Sequence, residues 1–136
     1  MQVCEIRTPN VHRGMDLIRD LLLRFEDDPK LNGTQWVHYS PGDLGMEEHS
    51  PVEIGYHVGL LIEEGLVRGA LSTEQEDIPA VSKLTWRGHE LASDIRDDTI
   101  WGDTKKRAKG LAGVGIALIW EIAKAEIKTK LGLPLP

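Results

Sequence analysis

The stretch over residues 50–91, SPVEIGYHVGLLIEEGLVRGALSTEQEDIPAVSKLTWRGHEL, limits the fold more tightly than any other part of the chain. Ser50 followed by Pro51, with Glu53 three residues after the serine, predicts a helix start. The hydroxyl can cap, the proline lacks an N–H the first turn would not use, and the carboxylate can reach back. Ile54, Val58 and Leu61 recur at helical spacing and predict the inward face, while Gly65 predicts a stop near Glu64. Glu53, Tyr56 and Glu63 then point outward, and His57 falls on the boundary, open to either side. Residues 66–71 and 80–85 flank the polar tip STEQEDIP as two strands of a β-hairpin would.

Helix, stop, hairpin and a further helix are the back half of a winged helix-turn-helix, the tip being the wing. Upstream, Met15, Ile18, Leu22 and Phe25 predict one helical face over residues 14–26, and QWVHY at residues 35–39 predicts a short strand. SPGDLG at residues 40–45 is a turn or the start of a short second helix. Downstream, one helix is expected over residues 86–101, then a solvated basic turn, DTKKRAK. A last helix follows Gly110 and Gly113 and ends near Leu131. The predicted fold is mainly α with a small β-hairpin, in a single domain. A winged-helix core spans residues 13–101 and a C-terminal helical extension spans residues 103–132. A chain of 136 residues can bury roughly two thirds of its unfolded surface, so a core needs no covalent staple.

Charge separates this segment from the usual duty of its fold. The net charge is −6, but residues 41–80 alone carry nine acids and one base, Arg68, whereas residues 81–136 carry ten bases and seven acids. The helix over residues 50–65 contains neither Lys nor Arg, the residues that neutralise phosphates in DNA complexes. Cys4 is the only cysteine, which excludes an internal disulfide, and the N-terminus lacks a basic start followed by an apolar run. The expectation is a cytoplasmic protein without a membrane span.

Three blocks then match a known pattern. VHRGMDLIRDLLLRFED, YHVGLLIEEGLV and LTWRGHELASDIRDDTIW resemble, in that order and over roughly residues 13–131, a family of small proteins of unknown function common in bacteriophages and prophages. The resemblance implies a winged-helix core and a phage or mobile-element setting. It implies no active site.

The residues themselves favour binding over catalysis. The five histidines are scattered, with no HExxH, no Cys/His pairing for zinc, no Walker loop, no dinucleotide fingerprint and no nucleophile elbow. No cofactor or metal is expected. The leading reading is a protein partner met by the acidic helix and wing through Glu53, Tyr56, His57, Glu63, Glu74, Glu76 and Asp77. Inhibition of a host nucleic-acid enzyme of defence is one use of carboxylates placed where phosphates would sit. The alternative is a small dimeric DNA-binding regulator, with nucleic acid contacted by Lys105, Lys106, Arg107 and Lys109. A homodimer is expected through the apolar stripe Ile116, Ile119, Trp120, Ala123 and Ile127.

Overall fold

The computed structural model describes residues 14–70, 78–109 and 115–132, and in it the predicted signals at Ser50, Pro51 and Gly65 bound one helix, while Gly110 and Gly113 lie outside the described residues. The elements run α1 (Met15–Glu26), α2 (Pro41–Leu44), α3 (Pro51–Glu63), β1 (Val67–Ala70), β2 (Ala80–Leu84), α4 (Trp86–Ile95), α5 (Asp98–Ala108) and α6 (Ile116–Leu131). The described part is thus mainly helical with one two-stranded antiparallel sheet. The chain divides into two compact units, with the boundary between Thr85 and Trp86.

In the first unit, α1 buries Leu17, Ile18, Leu21, Leu22 and Phe25 against α3 and β2. α3 returns Ile54, Val58 and Leu61 to the same core. Ser50 Oγ accepts the Glu53 N–H at 3.1 Å, as its position before Pro51 predicts. The Glu53 carboxylate, however, turns to His49 rather than to the backbone of the cap. Past Glu64, Gly65 takes φ 74°, and the N–H groups of Gly65 and Leu66 return to the carbonyls of Ile62 and Leu61. This is the paired C-terminal cap that a left-handed residue permits and a side chain would oppose.

The predicted hairpin forms, with Val67 opposite Leu84 and Ala70 opposite Ala80. A bulge between Arg68 and Gly69 leaves Ser82 over, and its carbonyl accepts the Gly33 N–H at 3.0 Å. Gly69 is required here because a β-carbon would lie 2.5 Å from Ile62 Cδ1 and 3.0 Å from the Ala80 carbonyl oxygen. The strand expected over residues 35–39 shrinks to one bridge, Val37 to Val81, made by two hydrogen bonds of 2.8 and 3.0 Å. Ser40 and Asp43 cap the single turn of α2 reciprocally, which settles the open choice between turn and helix. The polar tip falls mostly on residues 71–77, outside the described residues.

At the end of α1 sits a buried polar group that periodicity does not reveal. Tyr39 packs 5.4 Å from the Phe25 ring and donates its hydroxyl to Asp28 Oδ2 at 2.7 Å. Burial opposes ionisation of Asp28, but the Tyr39 hydroxyl, the Lys30 N–H and the charges of Lys30 and Arg24 together outweigh it, holding the carboxyl below its ordinary value. The same burial and the Asp28 charge push the Tyr39 hydroxyl well up. A carboxyl lowered on folding stabilises above its unfolded pKa of about 3.9, and the contribution fades as pH falls through the folded value. Urea unfolding from about pH 6 down to about pH 2 is expected to show Asp28→Asn losing less stability on acidification than the parent. Parallel curves would contradict this.

The described residues of the second unit form three helices, α6 packing on both α4 and α5. The single helix expected over residues 86–101 breaks after Ile95, because Asp97 caps a new one by accepting the N–H groups of Thr99 and Ile100 at 2.8 and 3.0 Å. The basic turn is therefore the last part of α5, where cations suit the carbonyl end of a helix. No helix among the described residues is long and apolar enough to cross a membrane.

Candidate functional site

The outer face of α3 is defined by what its inner face uses. With Ile54, His57, Val58 and Leu61 buried, Val52, Tyr56 and Glu63 are exposed along one helical stripe at spacings of four and seven, with Pro51 exposed at the first turn and Leu60 partly exposed beside them. Val52 is 55% and Tyr56 43% exposed, high for large apolar side chains. The Tyr56 ring meets the His57 ring edge-on at 5.4 Å. Around the start of the helix, His49 lies between two carboxylates, its Nδ1 3.0 Å from Glu53 Oε1 and its Nε2 3.7 Å from Glu48 Oε2. Glu47 and Asp43 are exposed nearby in sequence. The face combines an aromatic and an aliphatic anchor with carboxylates at its margin and no cation on the helix.

Of the seven residues expected to meet a partner, Glu53, Tyr56 and Glu63 are brought onto α3 with at least part of their surface open. His57 is not among them and corrects that expectation: it is 1% exposed and faces the core. Its Nε2 accepts the Gly14 N–H at 2.8 Å and its Nδ1–H donates to the Glu53 carbonyl at 2.8 Å. The ring thereby caps α1, whose Gly14 has no side chain to do so. Glu74, Glu76 and Asp77 lie outside the described residues. Val52 is the residue missed at the sequence level, although its place four before Tyr56 was the available signal.

In the second unit the expected dimer stripe is also corrected. Ile116, Ile119, Trp120 and Ala123 are buried within the chain itself, and Ile127 is partly so, on the helix that packs against α4 and α5. Trp120 donates its indole N–H to Asp94 at 2.7 Å and is flanked by the Arg87 guanidinium at 5.4 Å and the Lys124 ammonium at 4.7 Å. These groups border an open groove of about 540 Å³ between α4 and α6. The large apolar residues left exposed on α6 are Leu118 and Leu131. Among the basic residues, Lys105, Lys106, Arg107 and Lys109 are all exposed, and Arg107 also pairs with the buried carboxylate of Glu126. Such a carboxylate holds its partner strongly, since leaving it unpaired is costly. No group of three or more His, Cys, Asp or Glu side chains suited to a metal occurs among the described residues.

Comparison with known proteins agrees with the three sequence blocks. Residues 12–115 match the family described as Hypothetical protein (DUF2513). The chain is 32% identical over 98 residues to an uncharacterised protein of Haemophilus influenzae, an alignment covering 71% of this chain and 78% of that one. No solved structure matches the chain at a significant level.

Proposed function

The chain belongs to the DUF2513 family, and we propose that it is a non-enzymatic phage or prophage protein whose α3 face docks a protein partner. The observation that carries this reading is Val52 and Tyr56 standing exposed on a helix that has carboxylates and no Lys or Arg. A tyrosine within an apolar patch, rimmed by charge, is the composition of an interface centre, whereas a DNA-reading helix needs cations for phosphate. The carboxylates select a basic partner and orient its approach. A host enzyme that handles nucleic acid presents such a surface, so inhibition of one, in defence or otherwise, is the use that fits best. The order α1, Val37 bridge, α2, α3, hairpin supports a winged-helix core for the first unit.

The test is capture of the partner from host lysate with Tyr56→Ala beside the parent. An anchor tyrosine is worth about 2 kcal/mol or more, so affinity for the captured protein should fall by roughly thirtyfold or more. Retained affinity in Tyr56→Ala and in Val52→Glu would refute the α3 face.

The second reading, a dimeric winged-helix regulator, is favoured by the exposed Lys105, Lys106 and Lys109. It requires a shift of duplex DNA at about 50 mM salt that weakens steeply with added salt. Its dimer cannot use the buried face of α6 and would have to employ the side carrying Leu118.

A further inference from the structure

The outer side of the small sheet holds a second surface, different in chemistry from α3. Val67, Val81 and Leu84 turn inward and are buried, while Trp36, Arg68 and Lys83 are exposed. They come from three neighbouring chain segments: Trp36 precedes the Val37 bridge to Val81, Lys83 lies two residues beyond Val81 on β2, and Arg68 pairs with Lys83 across the hairpin. The Arg68 guanidinium is 5.9 Å from the Trp36 ring centroid, and 49% of Trp36 remains exposed. The Lys83 stem runs past the turn at Gly33, its Cδ 3.2 Å from where a side chain there would begin.

Two like charges directly opposite on paired strands oppose the pairing that holds them. Among the described residues neither Arg68 nor Lys83 has a carboxylate partner. An anion bound between them relieves that repulsion. The half-exposed indole beside them adds a requirement that a plain anion does not meet, namely a flat face to stack.

We infer that this Trp36, Arg68 and Lys83 face binds single-stranded nucleic acid, a base stacking on Trp36 and the adjoining phosphates meeting the two cations. Sheet faces that combine an aromatic with cations suit unpaired strands because every base has a π-face, whereas the bases of a duplex are already stacked on each other. Arg68 and Lys83 stand exposed here as a cationic pair although the chain is net −6. The inference does not depend on a partner docking at α3.

The experiment is fluorescence anisotropy of a labelled twenty-nucleotide oligo(dT) titrated with the full chain at about 50 mM salt. The parent should bind, and Trp36→Ala should weaken binding roughly five- to hundredfold, the range of one lost stacked base. Arg68→Gln with Lys83→Gln should lower the slope of log affinity against log salt by about 1.4, two phosphates at single-strand density. All three positions are exposed, and a thermal melt of each variant confirms folding. Absence of oligo(dT) binding by the parent overturns the inference, as does equal affinity for a duplex of the same length. Equal competition by poly-glutamate would assign the cations to an acidic peptide instead. Binding that survives Trp36→Ala, or is lost through Lys105→Gln and Lys106→Gln, would place the strand elsewhere and refute this face.

Discussion

Trp120→Ala is expected to destabilise the second unit by roughly 3–5 kcal/mol, the range for truncating a buried tryptophan. The side chain is 7% exposed, so its removal leaves a cavity between helices that pack through it. It also removes the indole N–H that Asp94 accepts at 2.7 Å and the ring that Arg87 and Lys124 flank. Trp120→Phe keeps a ring and forfeits the hydrogen bond, and should cost only about 1–2 kcal/mol. The measurement is urea denaturation followed by circular dichroism, with light scattering alongside. A residue at the centre of a dimer would change the mass while leaving the protomer's own stability near the parent's. The geometry predicts the reverse, a lower midpoint at unchanged mass.

His57→Ala should cost roughly 2–4 kcal/mol, combining a cavity in the first unit with a stranded polar group. The ring joins two helices: it accepts the Gly14 N–H that opens α1 and donates to the Glu53 carbonyl inside α3. Removing it leaves the Gly14 N–H without that acceptor, and the glycine offers no side chain in its place. His57→Phe separates the two contributions, since it restores volume but not the acceptor and should recover only the cavity part. If both variants unfold at the parent's midpoint, His57 is not a structural link. Partner capture serves as the second readout, because a contact residue would lose affinity without losing stability.

Much of the first unit is legible in the sequence. Ser50, Pro51 and Gly65 act through their own backbone chemistry, so a helix over this stretch with these limits follows from local sequence alone. The hairpin was legible for a similar reason, as two apolar runs around a polar tip have few other uses. Asp97 was less legible because RDD reads equally as a solvated face of a continuing helix, and only the aspartate's acceptance of two N–H groups distinguishes a cap from a surface charge. Burial at helix edges was not legible either. His57 sits between the inward and outward stripes, and its direction is decided by a donor 43 residues away in sequence.

The same distinction applies to the surfaces. Sequence by itself determined the helix over residues 51–63, the hairpin and the missing cations on α3, because each depends on residue type and on spacing within a few turns. It also determined that the last helix would be apolar over a broad face. Tertiary structure decided what covers that face, burying Ile116, Ile119, Trp120 and Ala123 and leaving Leu118 exposed. It also engaged Arg107 with Glu126 and set Trp36, from the segment before α2, beside Arg68 of the hairpin. Those outcomes depend on which distant segments meet, and periodicity along one segment carries no information about its partner.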